Sequence, residues 1–334
     1  VRQRRGLPEK SGSPQGGGIE SMPKEPCGTS SRLQVLEYPY CYGAWRLDPA
    51  DHSRVTAEKV TFSGRRSVED YRLCGVYGKM GCPYTIEEIT GDETPELELW
   101  QSVPLGFAKA CERAAREGKK ILVSSGYCAF APAILGGLQR ALGPEKTVGV
   151  VWMDAHCDNL IVEQTQRTDL RFVSFPLSVI AGQTMEKWRK EACLLERPCS
   201  GETILVGDGH CSGPEGLENL QRAGIVRAAP QAFACAEQWD EKVEQLAQRV
   251  DAIFLMVDVD ILQSRYIPAY FRQEPGGHTM ETVTRNIASV MKTGKVAAFA
   301  CFCVDFDKYD QGGDVTYLNG MRLIGTAMGI DDFL

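Results

Sequence analysis

The sequence predicts an α/β protein built on a parallel sheet with helices on both faces. Short apolar segments rich in valine, isoleucine and leucine alternate along the chain with longer amphipathic segments. This alternation is typical of strands that are buried on both faces and joined by crossover helices. Acidic, histidine and cysteine residues directly follow several apolar segments. Because ligands bind beyond the carboxyl ends of strands in open parallel sheets, these residues are candidates for a functional site.

Hydrophobic periodicity places the individual elements. Apolar residues at three- and four-residue spacing indicate helices, and unbroken apolar runs between turn residues indicate strands. The predicted strands are 33–38, 120–124, 147–153, 203–207, 252–257 and 296–304. The predicted helices are 100–118, 131–142, 214–223, 237–249 and 280–293. Residues 41–95 contain short apolar segments and turn residues, and this pattern predicts no clear strand or helix.

The two ends of the chain differ in composition. Residues 1–31 are rich in glycine, serine, proline and arginine and offer little to bury, so we expect a disordered N-terminal tail. Residues 32–334 contain no repeat and no interdomain linker, and we expect one domain there.

Charge and hydrophobicity argue against two classes of partner. The 334 residues carry a net charge of −7, and 43% of them are hydrophobic. No broad basic surface is implied, so we expect neither nucleic acid nor an anionic membrane as a partner. No apolar run reaches the length of about 18 residues that a transmembrane helix needs.

The cysteines point to a reducing compartment. Thirteen are scattered through the chain, several inside apolar segments, and none forms a Cys-x-x-Cys pair. Disulfide frameworks belong to short secreted domains, so reduced and mostly buried thiols are the better interpretation. We therefore expect a cytoplasmic protein without a structural zinc knuckle.

The most informative motif follows the strand at 147–153. Asp154, His156 and Asp158 stand two residues apart, and in an extended backbone such residues point to one face. Two carboxylates and an imidazole on one face suit a metal ion. The alternative is a polar strand end whose side chains lie in solvent.

A second acidic pair, Asp258 and Asp260, follows the strand at 252–257. The same spacing places both carboxylates on one face, where they would repel each other without a cation. Taken alone, Asp258 is also suited to cap a helix or form a turn. Together the two motifs favour a site for two divalent ions, which can generate hydroxide from water at neutral pH.

These residues resemble the ureohydrolase family of arginases, agmatinases and formimidoylglutamases. The resemblance rests on Asp-Ala-His-x-Asp after a strand, on Asp-x-Asp ~100 residues later, and on Pro275-Gly-Gly-His-Thr279. It implies a three-layer α/β/α fold with a central, mainly parallel sheet. It also implies hydrolysis of a guanidino or amidine C–N bond, two Mn²⁺ ions per chain and a homo-oligomer.

Carried over residue by residue, the resemblance supplies the metal ligands. Five match directly and the sixth position, normally histidine, is a cysteine; the implied set is Cys128, Asp154, His156, Asp158, Asp258 and Asp260. A thiolate favours Zn²⁺ or Fe²⁺ over Mn²⁺, so these ions are alternatives. Cysteine at this position is similar to the branch of the family that hydrolyses Nω-hydroxy-L-arginine. His156 and Asp158 are the candidate catalytic residues, with Asp158 passing a proton to the leaving amine.

The substrate side departs further from the family pattern. The family's proton-shuttling histidine is missing from 172–176, and Cys303 stands where a glutamate normally pairs with the guanidinium. The candidate substrate contacts are Cys303, Thr279, His278 and His210, with His210 a possible replacement shuttle or an ordinary loop histidine. A cysteine provides no bidentate carboxylate for a planar guanidinium, which favours a changed or less basic substrate.

Three functions are compatible with this pattern. The first is a metal-dependent amidinohydrolase acting on a small guanidino or amidine compound. The second is an inactive protein that keeps the fold for a binding or regulatory role, which the lost pocket residues favour and the five retained ligands oppose. The third uses Cys303 as a covalent nucleophile on an amidine carbon, although no nearby base is evident.

Overall fold

The computed structural model describes residues 33–39, 45–57, 69–91, 93–270, 272, 274–304 and 313–330. The tail predicted at 1–31 lies outside these residues. Within the described part of the chain, no helix has the length and apolar character needed to cross a membrane.

The described residues form eleven strands, ten α-helices and six short 3₁₀ helices. The strands are β1 (Leu33–Glu37), β2 (Trp45–Asp48), β3 (Asp51–Ala57), β4 (Tyr84–Glu88), β5 (Lys120–Val123), β6 (Val148–Asp154), β7 (Leu170–Arg171), β8 (Ile204–Asp208), β9 (Val226–Ala228), β10 (Ala252–Asp258) and β11 (Val296–Phe302). The helices are α1 (Glu69–Leu73), α2 (Leu99–Arg116), α3 (Ala131–Leu142), α4 (Pro176–Ile180), α5 (Glu186–Glu191), α6 (Pro214–Ala223), α7 (Pro230–Ala234), α8 (Ala236–Arg249), α9 (Met280–Lys292) and α10 (Gly313–Ala327).

The main sheet has eight strands in the order β4-β1-β5-β11-β10-β6-β8-β9. Each adjacent pair is parallel, which confirms the predicted parallel sheet. From β6 the chain moves outward through β8 to β9 and then returns to insert β10 and β11 between β5 and β6. As a result, segments about 100 residues apart in sequence end side by side at one edge of the sheet.

Helices cover both faces of this sheet. Successive residues of β6 alternate between two cores: Val150 and Trp152 pack on one side, and Val151 and Met153 pack on the other. Helices α2 to α4 contribute to the first core, and α8 to α10 contribute to the second. The three-layer α/β/α arrangement is therefore confirmed.

All predicted strands and helices are present, with ends that differ by a few residues. The pattern missed ten elements: β2, β3, β4, β7, β9, α1, α4, α5, α7 and α10. Three of them, β2, β3 and β7, form a separate antiparallel sheet. Strand β2 pairs with β7 far along the chain, and local periodicity gives little sign of such pairing.

Helices α2 and α3 approach closely because Gly137 has no side chain. A Cβ atom there would lie 2.3 Å from the carbonyl oxygen of Ala108 and 2.7 Å from Cβ of Cys111. We expect Gly137→Ala to lower the free energy of unfolding by about 1–3 kcal/mol, measured by urea denaturation. Gly78→Ala is the control, since its Cβ would meet nothing within 4 Å. Equal effects of the two substitutions would contradict this interpretation.

Candidate metal centre

A cavity of about 510 Å³ opens at the carboxyl edge of the main sheet. It is lined by residues that follow four adjacent strands, β5, β11, β10 and β6. All six predicted metal ligands line it: Cys128, Asp154, His156, Asp158, Asp258 and Asp260. Cys303, predicted from the sequence as a substrate contact, lines the same cavity.

The route by which the first motif reaches the cavity differs from the prediction. Strand β6 ends at Asp154, so His156 and Asp158 do not continue an extended face, and that part of the prediction is wrong. The backbone N–H of His156 donates a hydrogen bond of 2.7 Å to Oδ1 of Asp154, which bends the chain at once. Asp158 then adopts a left-handed conformation with φ of 44°.

The second motif repeats this local design. The backbone N–H of Asp260 donates to Oδ1 of Asp258 over 3.1 Å, so Asp258 caps the short helix Val259–Ile261 while lining the cavity. The capping and ligand interpretations of Asp258 are thus compatible. Oδ1 of Asp260 accepts the N–H of Ala155 at 3.1 Å, which ties the two strand ends together.

His156 lies at the centre of a possible ligand group. Its Nδ1 atom is 3.0 Å from Oδ2 of Asp260 and 3.5 Å from Oδ1 of Asp154. One donor atom from each of these three residues lies within 4.8 Å of the others. The second ring nitrogen, Nε2, is 3.5 Å from Oε1 of Glu274.

The electrostatics of this group favour a cation. Burial, together with the charges of Asp158 and Asp260, raises the pKa of Asp154 well above its usual range. Burial and Asp260 likewise raise the pKa of Asp258. Oδ2 of Asp154 is buried and has no hydrogen-bond partner in the described residues. A divalent ion among these oxygens would supply the missing partner and offset the repulsion, so the residues fit a metal site.

Cys128 and Cys303, the two cysteines that depart from the family pattern, lie next to each other. The thiols of Cys128 and Cys303 are within hydrogen-bonding reach of each other. Their sulfur atoms and a carboxylate oxygen of Asp258 all lie within 4.8 Å of one another. Burial raises the pKa of the Cys128 thiol, so this thiol is protonated when no metal ion is bound.

The structure does not bring the other predicted substrate contacts to the cavity. His210 and His278 both bond to Oδ2 of Asp208, at 2.6 and 2.7 Å. The hydroxyl of Thr279 accepts the N–H of Thr282 at 3.2 Å and caps α9. Their roles in substrate binding remain predictions.

Tyr270 and Glu274 also line the cavity, although neither was among the predicted site residues. The hydroxyl of Tyr270 donates to Oδ2 of Asp260 at 3.3 Å, and Glu274 faces His156 from the opposite side. Glu274 also pairs with Arg272 at 3.0 Å. Its position directly before the Pro-Gly-Gly turn was the one sequence feature that pointed to it. Tyr270 ends the segment Ile267-Pro-Ala-Tyr270, which is similar to the hydroxyarginine-hydrolysing branch of the family, but the sequence gave it no role in the site.

Backbone strain is concentrated at this edge. Five non-glycine residues have positive φ in the described chain; two of them follow strands of the site, and a third ends the neighbouring strand β8. These are Asp158 at 44°, Asp208 at 84° and Cys303 at 64°. Such conformations cost about 1–3 kcal/mol each and commonly mark functional sites.

Fold and site together define an α/β protein with a candidate two-ion centre at the carboxyl edge of its parallel sheet. The model of the Arginase family matches residues 91–329, and the chain belongs to this family. No curated protein sequence matches the chain significantly.

Solved structures share the fold at low sequence identity. Arginase from Bacillus subtilis has a TM-score of 0.69 and 16% identity, with 90% of this chain and 99% of that chain covered. Entamoeba histolytica arginase in complex with L-ornithine has a TM-score of 0.72 and 16% identity, with 90% and 98% covered. Formimidoylglutamase from Bacillus subtilis has a TM-score of 0.64 and 13% identity, with 90% and 86% covered.

The partly buried Asp158 predicts a pH effect on the metal-free protein. Burial raises the pKa of Asp158 to about 6, although His156 acts to lower it. In the unfolded chain the carboxyl has its ordinary pKa near 4, so the folded state binds the extra proton between these values. Stability relative to Asp158→Asn should therefore fall as pH rises from about 4 to 6. Thermal unfolding of both chelated proteins across this range measures the effect, and a pH-independent difference would contradict it.

Proposed function

We propose that the protein is a metal-dependent amidinohydrolase that cleaves a C–N bond of a guanidino or amidine compound. Membership of the arginase family supports this reaction class. The observation that carries the proposal is the convergence of Asp154, His156 and Asp260 in one cavity with Asp158 and Asp258. A chain that kept the fold without binding metal would gain nothing from burying so many carboxylates together.

Five carboxylate and imidazole side chains, with Cys128, would hold the ions. When bound, a pair of divalent ions lowers the pKa of water so that hydroxide is available at neutral pH. The backbone N–H groups that hold Asp154 and Asp258 each occupy Oδ1, which leaves the second oxygen of each carboxylate as a donor. The ligand shell is thus oriented by the bends at the strand ends.

Asp158 and His156 are the groups suited to handle protons. Both line the cavity, and Asp158 lies in a strained loop next to the ligands. A carboxylate there would take a proton from the attacking water and give it to the leaving nitrogen. His156 holds one nitrogen toward Asp260 and the other toward Glu274.

Glu274 is the proposed contact for a cationic substrate group. The glutamate that the resemblance led us to expect is Cys303, which leaves the guanidinium without its usual partner. Glu274 and Asp169 are the carboxylates lining the cavity that lie outside the predicted ligand set. Glu274 has only 7% of its side chain exposed, against 55% for Asp169, so its charge is the less screened of the two.

Turnover should depend on both the ions and the acidic cluster. The metal-free protein, loaded with Mn²⁺, Zn²⁺ or Fe²⁺, would be screened for urea or ammonia release from arginine, hydroxyarginine, agmatine, guanidinobutyrate and formiminoglutamate. We expect Asp260→Asn to lower kcat/KM by at least about 100-fold, because it removes a charged donor. Asp251→Asn, at the opposite end of the strand that carries Asp258, is the matched control. Equal activity of the two variants, or no turnover under any loading, would overturn the proposed function.

Substrate charge provides a separate prediction. Glu274→Gln should lower kcat/KM for a cationic guanidino substrate by about 10- to 100-fold, since hydrogen bonds to charged groups contribute about 1.5–3 kcal/mol. The effect should appear mainly in KM if the contact is the same in substrate and transition state. Asp169→Asn should have a smaller effect, because Asp169 is largely exposed. A larger effect of Asp169→Asn would refute the assignment of Glu274.

A non-catalytic role is the second candidate. The observation that favours it is the pair of thiols where the resemblance implies histidine and glutamate. Under this alternative the protein would bind metal and a guanidino compound without turnover. Calorimetric binding of a substrate that no metal form hydrolyses would support it.

A further inference from the structure

Cys128 and Cys303 lie at neighbouring strand ends. Cys128 opens the short helix Cys128–Phe130 after β5, and Cys303 directly follows β11, which pairs with β5. The backbone N–H of Cys303 donates to the carbonyl of Gly126 over 2.8 Å and joins the two loops. The two substitutions that depart from the family pattern, 175 residues apart in sequence, therefore form one local feature.

Two sulfur atoms and a carboxylate oxygen form a compact donor set. The donors of Cys128, Cys303 and Asp258 lie within 4.8 Å of one another, and Cys128 and Asp258 are buried. A tetrahedral zinc ion with bonds of about 2.3 Å to sulfur places two thiolates about 3.8 Å apart. The spacing therefore suits one ion with little movement. Asp158, within hydrogen-bonding reach of Cys128, provides a fourth donor nearby.

The neighbouring donor set has different chemistry. Asp154, His156 and Asp260 offer oxygen and nitrogen atoms without sulfur. Carboxylate and imidazole donors accept manganese, zinc or iron, whereas thiolates select zinc, iron or copper over manganese. The cavity thus contains one donor set with sulfur, which is soft, and one with only oxygen and nitrogen, which is harder.

We infer that the two ion positions are chemically different, and that Cys303 is a metal ligand. Together with Cys128 and Asp258 it forms a position for a thiophilic divalent ion such as Zn²⁺, and each thiol releases its proton to solvent on binding. Asp154, His156 and Asp260 form the harder position. The inference rests on the proposed function in placing both ions in the same cavity. It excludes Cys303 as a substrate contact and as a free nucleophile.

Cobalt spectroscopy tests this assignment without an activity assay. Co²⁺ added to the metal-free protein should give a near-ultraviolet charge-transfer band from two thiolates. Cys303→Ser and Cys128→Ser should each reduce the band by about half, and the double variant should abolish it. Cys235→Ser is the matched control, because its thiol bonds to Glu237 outside the cavity. A full band in Cys303→Ser would overturn the inference.

The wild-type protein provides a second readout in case a variant does not fold. Zn²⁺ should slow alkylation of Cys303 by iodoacetamide by about tenfold, detected by mass spectrometry, because a bound thiolate is less reactive. Cys235, whose thiol bonds to Glu237 outside the cavity, serves as the internal control. Alkylation of Cys303 in the metal-free protein should also reduce zinc capacity by one ion per chain. Unchanged capacity would contradict the assignment.

The two proposals fail in different ways. Amidine hydrolysis with a full cobalt band in Cys303→Ser refutes the ligand role and leaves the proposed function intact. A halved band in a protein that hydrolyses none of the compounds supports the ligand role and refutes the enzyme. Retention of the cobalt band in Asp260→Asn, with metal content reduced by about one ion, would support two separate positions.

Discussion

The site depends on the burial of several carboxylates at one edge of the sheet. Asp154, Asp258 and Asp260 are each at most 3% exposed, yet each gives one oxygen to a backbone N–H at a strand end. Those bonds bend the loops and hold the remaining oxygens toward the cavity. Buried like charges are strongly unfavourable without a counter-ion. Because the hydrogen bonds that bend the loops also hold these carboxylates close together, the site favours binding of cations.

Much of this arrangement follows from the order of strands, which local sequence does not encode. Periodicity was sufficient to predict the principal strands and helices, and to single out the acidic and histidine residues after β6 and β10 as candidate ligands. It did not reveal that β10 would lie directly beside β6 or that β11 would separate it from β5. The resemblance predicted the ligand set, but the contact between Cys128 and Cys303 depends on pairing between distant segments.

The sequence argument expected Asp154, His156 and Asp158 to lie together, and all three do line the cavity. The backbone conformation that it assumed for them was wrong. It assumed an extended backbone, whereas β6 ends at the first of the three. Short polar side chains that accept backbone N–H groups compete with strand geometry, and this competition is difficult to read from alternation. Glu274 was missed for a related reason, since an irregular segment carries it into the site.

The three strained strand ends have a consequence for how this protein would respond to selection. Glycine adopts positive φ without the steric cost that Asp158, Asp208 and Cys303 incur. A population selected for thermal tolerance alone would tend to accumulate glycine at these positions. It would then lose donors from the cavity, or the carboxylate that bonds to His210 and His278. If the larger side chains are retained, selection for function has outweighed the stability that they cost. This trade-off would arise from the backbone conformation of three residues.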